Sequence, residues 1–285
     1  MTVVKMQLTA LIYSVERDNF FTVILNGKKE YFYMQKHLSK NFSKYLTKGT
    51  YVSFDYQEKL TKQRGLVAHK INHFIEISFK KNRRQKVTYY NLEVIRDGIR
   101  DLVKEMQTVM FIDFEMNMQD YQPIEGFEQE IIEAGLVLTN GDGAIYDIKH
   151  WYIKPTKFKK ISRRAMKFLH YTNVELDKAI SFKVFYNELK QIVKKYNPYV
   201  VVWGKSDITQ FKKTCTINKV GDLGLHFVNL LQLHTNYDNL KDSPGLFSMW
   251  EAYNGSKLPE QTHNSLEDAM VTKEVFFNFK EKILK

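Results

Sequence analysis

Between residues 3 and 79 apolar and polar side chains alternate with a period close to two. No other feature constrains the chain as much, because that period puts alternate side chains on opposite faces of a strand and fits no helix. Strand candidates fall at residues 7–15, 19–25, 30–34, 51–57 and 65–73. Asn26-Gly27, between the second and third, is a hairpin signal because both residue types tolerate positive φ. Lys48-Gly49 marks another turn before the fourth. Five short strands in about 75 residues predict a small closed barrel, since an open sheet would leave long unpaired edges.

The pattern then changes. Lys80-Lys81-Asn82-Arg83-Arg84-Gln85-Lys86 reads as a solvated basic linker. From Asn91, a capping residue type, to Met106, the side chains Leu92, Ile95, Ile99, Leu102, Val103 and Met106 recur at helical spacing. The expected organisation is a β-barrel over residues 1–79, a basic linker and amphipathic helix over 80–106, and a second domain over 107–285.

Charge follows the same division. The chain carries 43 Lys and Arg against 32 Asp and Glu, a net +11. Residues 1–106 hold 20 of those bases and 10 of the acids, whereas residues 107–285 hold 23 and 22. A basic surplus confined to one region suits a polyanionic partner. A membrane is a poor partner, since no basic amphipathic helix with a strong apolar face appears and no apolar run approaches the ~18 residues of a span. Met1-Thr2-Val3-Val4-Lys5 lacks the basic stretch and hydrophobic block of a secretory signal. Cys215 is the single cysteine, which excludes a disulfide within the chain and fits the reducing cytoplasm.

Three separated segments of the second region carry candidate chemistry. Thr108-Val109-Met110-Phe111-Ile112-Asp113-Phe114-Glu115 is an apolar run ending in two acids, and on a strand Asp113 and Glu115 point to the same face. Adjacent carboxylates repel each other, and burial raises their pKa values unless a cation is present; Mg²⁺ or Mn²⁺ suits such oxygen ligands. The apolar segment Tyr199-Val200-Val201-Val202-Trp203 leads through Gly204-Lys205-Ser206 to Asp207 at the start of a predicted helix. In His263-Asn264-Ser265-Leu266-Glu267-Asp268-Ala269, Asn264 with Glu267 reads as a capping box, which sets His263 just outside a helix and Asp268 in its first turns.

In that order, Asp-x-Glu, then Asp, then His-x-x-x-x-Asp, these segments resemble the DEDDh 3′–5′ exonucleases of the ribonuclease H-like α/β fold. The branch most similar contains the histone-mRNA 3′-end exonucleases. Further similar stretches are Gln129-Glu130-Ile131-Ile132-Glu133-Ala134-Gly135, Phe168-Leu169-His170-Tyr171-Thr172-Asn173 and Val202-Trp203-Gly204-Lys205-Ser206-Asp207. The resemblance implies a two-metal site for Mg²⁺ or Mn²⁺. Asp113 would bridge both ions, Glu115 and Asp268 would complete the shell of the first and Asp207 would hold the second. His263 would be the general base for the attacking water. It treats Glu130 and Glu133 as scaffold. Phe114 or Met116 could face a terminal base, with core packing the safer expectation for Phe114. The acid-free run from Lys154 through Lys157, Lys159, Lys160, Arg163 and Arg164 to Lys167 fits a substrate channel or a solvated helix face.

The first region is similar to the cold-shock and related OB-fold domains. Asn19-Phe20-Phe21 and Tyr31-Phe32-Tyr33 stand where those domains carry their aromatic strand motifs. Lys48-Gly49-Thr50-Tyr51-Val52-Ser53-Phe54 fits their Gly-x-x-Val-x-Phe strand, and Gly65-Leu66-Val67-Ala68-His69-Lys70-Ile71 their closing strand. The glycines of the first aromatic motif are absent. This likeness implies stacking platforms for single-stranded nucleic acid, worth roughly 1–3 kcal/mol per stacked base, while alternation sends some of these aromatics into the barrel core without saying which. The function expected is therefore hydrolysis of single-stranded RNA from its 3′ end, releasing 5′-mononucleotides. The alternatives are a DNA exonuclease of proofreading or repair type and a non-catalytic nucleic-acid-binding regulator.

Overall fold

The alternating region does fold as strands. The computed structural model describes residues 5–16, 19–82, 84–258 and 263–285. The chain divides into two units: residues up to Gly98 with Asn236–Lys241, and Ile99–Thr235 with Asp242–Lys285.

In the first unit the strands are β1 (Lys5–Leu11), β2 (Ser14–Glu16), β3 (Phe20–Leu25), β4 (Lys28–Tyr33), β5 (Thr50–Gln63), β6 (Leu66–Lys80) and β7 (Lys86–Asn91), with helix α1 (Lys36–Phe42) between β4 and β5. Asn26 and Gly27 have φ of 49° and 76° and close the β3–β4 hairpin, as their residue types predict. The ladder runs β1-β5-β6-β4-β3-β2, with β7 also on β6, and all pairs are antiparallel except β4 with β6. It is not closed, so the five-stranded closed barrel read from the alternation is not what the hydrogen bonds record.

Two further expectations change. The basic run from Lys80 to Lys86 is the tip of the β6–β7 hairpin, not a linker: Lys81 N–H donates to Gln85 O at 2.9 Å, and Asn82 Oδ1 accepts from the Arg84 and Gln85 amides. Arg83 lies outside the described residues. Of the aromatics expected to divide between stacking platforms and core, Phe20, Phe21 and Phe32 are fully buried. The rings of Phe21 and Phe32 lie 5.5 and 4.9 Å from Phe54, filling a core with Val52, Ile71, Phe74 and Ile77. Burying each such ring stabilises by roughly 1.5–3 kcal/mol, enough to draw the aromatics inward.

Helix α2 (Leu92–Glu105) starts where its pattern says it should, with Val94 N–H donating to Asn91 Oδ1 at 3.1 Å. Leu92, Ile99, Val103 and Met106 are buried.

The second unit is built on β8 (Thr108–Met116), β9 (Ile131–Asn140), β10 (Ile145–Lys154), β11 (Ile180–Ser181), β12 (Tyr199–Val202) and β13 (His226–Asn229). Its helices are α3 (Arg163–Phe168), α4 (Asn173–Lys178), α5 (Phe182–Tyr196), α6 (Ser206–Ile217), α7 (Leu230–Tyr237), α8 (Leu246–Asn254) and α9 (Ser265–Leu284). The sheet order is β11-β10-β9-β8-β12-β13, with β8–β9 and β9–β10 antiparallel and the remaining pairs parallel. Strand β8 is central and covered on both faces, which explains its unbroken apolar run. Met110, Ile112 and Phe114 pack with Phe185 of α5 and Phe211 of α6, whereas the ring of Phe111, on the other face, lies 5.4 Å from Phe276 of α9. Among the described residues no helix is long and apolar enough to cross a membrane.

Helix α9 comes close to the sheet at one glycine. Gly135 of β9 stands opposite Asp113 of β8, and a Cβ there would run into the backbone of Ser265 and Leu266. The clash is with backbone, so no rotamer change relieves it. Gly135→Ala is therefore expected to lower stability in denaturant unfolding by about 1–3 kcal/mol or more. A wild-type midpoint in the variant would show that α9 does not approach as described.

Candidate active site

Strand alternation builds the site. Asp113 and Glu115 share the face of β8 that carries Phe111, the face covered by α9. Asn264 caps α9, its Oδ1 accepting from the amides of Leu266 and Glu267 at 3.1 Å each, so Asp268 enters from the helix's first turn. Carboxylate oxygens of Asp113, Glu115 and Asp268 lie within 4.8 Å of one another.

Asp207 arrives from a different element. It opens α6 just beyond β12, the parallel neighbour of β8, and is buried. Its Oδ1 accepts from the amide of Phe114 at 3.3 Å and its Oδ2 from Ser206 Oγ at 3.4 Å, tying α6 to the strand that holds the acid pair. Chain continues from β8 to one side of the sheet and from β12 to the other, so the acids collect at the carboxyl ends of strands where the order reverses, a usual place for ligands in α/β sheets. Asp113, Glu115, Asp207 and Asp268 line one cavity of about 360 Å³, together with Trp203 and Met116.

The electrostatics of this cluster are severe. Burial first, then the charges of Asp207, Asp268, Glu115 and Glu133, pushes the Asp113 carboxyl well above its ordinary range. Burial, then Glu133, Asp268 and Asp207, raises Glu115 to about 8. Asp207 rises to about 6, again through burial, although the Phe114 amide and the Ser206 hydroxyl pull it down. Four carboxyl groups in one concavity fit a divalent cation by chemistry as well as position: all donors are hard oxygens, and the cation offsets the charge that opposes their ionisation.

His263 is not among the residues lining that cavity. It precedes the α9 cap with φ of 53°, and its ring lies 4.2 Å from that of Phe168. Phe168 is a neighbour the sequence reading did not place at the site. Phe114 is buried and stacks on Phe211 at 5.7 Å, as expected of a core residue, although it borders the cavity together with Met116. Glu130 is buried scaffold: it accepts from the amides of Thr156, Lys157 and Phe158, fixing the start of the basic run. Glu133, in contrast, stands opposite Glu115 in the β8–β9 register and adds to the charge felt there. Its signal in the sequence is a lone acid within the apolar strand Ile131-Ile132-Glu133-Ala134-Gly135-Leu136.

Known proteins share this architecture. The exonuclease (RNase T) family profile matches residues 110–276. The probable 3′-5′ exonuclease KapD of Bacillus subtilis is 29% identical over 179 residues, spanning 59% of this chain and 82% of KapD. Among solved structures, the nuclease domain of 3′hExo, a DEDDh family member, superposes with a TM-score of 0.53 at 20% identity, covering 60% of this chain and 90% of that one. Cell-death related nuclease 4 gives 0.52 at 15% identity, covering 63% and 64%. These likenesses establish the ribonuclease H-like fold of the second unit. With the family match across residues 110–276 and an acid constellation in family order, the chain belongs to the DEDDh family and is a 3′–5′ exonuclease.

Proposed function

We propose that the protein degrades single-stranded RNA from its 3′ end, releasing 5′-mononucleotides in the cytoplasm, at a site formed by Asp113, Glu115, Asp207, Asp268 and His263. The observation that carries this reading is the convergence of Asp113, Glu115 and Asp268 oxygens within 4.8 Å on the cavity that Asp207 also lines. Two Mg²⁺ or Mn²⁺ ions held by these four carboxylates would neutralise the scissile phosphate and stabilise the attacking and leaving oxygens. Asp113 would help hold both ions, Glu115 and Asp268 would hold the first with it, and Asp207 would hold the second. His263 takes the proton of the attacking water on an imidazole nitrogen, histidine being the side chain most often used for proton transfer near neutral pH. Choice of RNA over DNA is supported by similar structures: one describes recognition of a histone mRNA stem-loop by a 3′-exonuclease, another a nuclease domain bound to rAMP.

The first unit is proposed to be an OB-like capture module. Its ladder ends, β1 and β2, are consecutive in the chain, joined by Ile12 and Tyr13, whose amides donate to Thr50 O and Thr22 O at 2.9 and 2.8 Å. This continuity supports a sheet that curls back on itself. With those phenylalanines buried, one exposed aromatic beside basic side chains is Tyr13, 49% exposed and flanked by Lys29 and Lys48 nitrogens at 5.8 and 5.6 Å. Lys29 also lies 5.2 Å from the Tyr31 ring.

Three sets of outcomes are expected. Asp113→Ala should abolish release of nucleotides from a 3′-labelled strand while leaving the circular dichroism spectrum unchanged; parallel digestion of matched RNA and DNA should favour RNA. Retained activity in that variant would sink the site, and equal digestion the substrate choice.

Replacing Lys29 and Lys48 by alanine should flatten the dependence of log K on log salt by about one unit for each phosphate no longer neutralised. An unchanged slope would remove the capture role.

The third concerns pH. Glu115, raised to about 8 in the metal-free folded chain from an ordinary value of 4.5, binds more protons folded than unfolded between those limits. Its contribution to stability is thus present at low pH and lost as pH rises through 8. In chelator, Glu115→Gln should melt above wild type at pH 8 and close to it at pH 4.5. Mn²⁺ should raise the wild-type midpoint more than the variant's. Identical differences at both pH values would argue against repulsion at this position.

A further inference from the structure

Glu133 is a buried carboxylate to which the roles above give no part. It is 1% exposed and faces Glu115 across the β8–β9 ladder. Such a group is costly to bury unless its oxygens are satisfied. Here the donors come from three segments. Oε1 accepts from the Ser265 amide at 3.0 Å and from Ser265 Oγ at 2.9 Å, and His150 Nε2 lies 2.7 Å from the same oxygen. Oε2 accepts from the Tyr171 hydroxyl. Burial and the Glu133 charge push the Tyr171 hydroxyl far above its ordinary range, so it remains a donor at any working pH.

Two of these segments meet again at the candidate base. Tyr171 lies three residues beyond Phe168, Ser265 lies two beyond His263, and the rings of Phe168 and His263 are in contact at 4.2 Å. His263 also holds φ at 53°, a left-handed conformation uncommon for a non-glycine residue. Gly135, two residues along β9 from Glu133, admits the backbone at Ser265 and Leu266 and so allows the short bonds to Ser265. One carboxylate therefore grips the chain on both sides of the Phe168–His263 contact.

We propose that Glu133 is the positioning residue for His263. It acts through Ser265 and Tyr171, fixing where the imidazole sits relative to the acid cluster, and touches neither substrate nor metal. This inference rests on His263 serving as the general base.

The test uses the full chain. Glu133→Gln keeps the shape but replaces one acceptor oxygen with an NH2 group, a donor that cannot accept from whichever of Ser265 and Tyr171 it meets. It should lower kcat by about 10–100-fold, the usual cost of losing a group that orients a site residue, with KM for an oligonucleotide unchanged. In a His263→Ala background the same change should cost nothing further, because the side chain it positions is gone. The imidazole resonances of His263, assigned by comparison with His263→Ala and displaced by the Phe168 ring current, should move towards those of a solvated histidine in Glu133→Gln. Tyr171→Phe and Ser265→Ala each remove one hydroxyl donor and should give smaller changes of the same kind, deciding the matter if Glu133→Gln fails to fold.

Wild-type kcat in the variants, losses that multiply with His263→Ala, or unmoved His263 resonances would overturn the proposal. Full activity in His263→Ala alone would instead overturn the assignment of the base.

Discussion

Mutual repulsion of buried carboxylates governs the architecture of the second unit. At an effective dielectric of about 20, two full charges about 5 Å apart repel by roughly 3 kcal/mol, and the oxygens of Asp113, Glu115 and Asp268 are within 4.8 Å. Asp207 and Glu133 add to that field. Without a cation these carboxyl groups hold their protons to higher pH than lone carboxylates do, as the raised values of Glu115 and Asp207 express. Such an arrangement opposes folding, so the rest of the unit has to hold it. A central strand buried on both faces, a helix capped at its start and a glycine permitting close approach each supply part of that support.

Strand β8 separates the two duties by alternation alone. Met110, Ile112 and Phe114 enter the core with α5 and α6, whereas Phe111, Asp113 and Glu115 turn to α9. A shift of one residue in register would bury the acids among phenylalanines and expose the core side chains. The hydrogen bond from the Phe114 amide to Asp207 links the two faces, because the backbone beneath a core ring also fixes a site carboxylate.

Much of this could be read in advance from particular residues. Asp113 and Glu115 were placed by period two, Asp268 by the Asn264 cap, and the β3–β4 turn by Asn26-Gly27. The expectations that changed involve tertiary context. Whether Phe20, Phe21 and Phe32 face solvent or core depends on which side of the sheet is covered, and local alternation cannot say. The basic run at residues 80–86 looked like a linker because charge density does not report pairing, and β7 is specified by its partner β6. Glu133 was visible as a lone acid in an apolar strand, but its importance lies in donors from Ser265 and Tyr171, both distant in sequence. The ring contact of Phe168 with His263 left no sequence signal for the same reason.

The distance along the chain between the site's parts has a consequence for synthesis. Asp113 and Glu115 leave the ribosome long before Asp268, and Gly135 is shaped to receive a helix start that does not yet exist. Until α9 docks, Asp113, Glu115 and Asp207 can gather but Asp268 is missing, so the cluster of four acids is completed only when the helix start seats against Gly135.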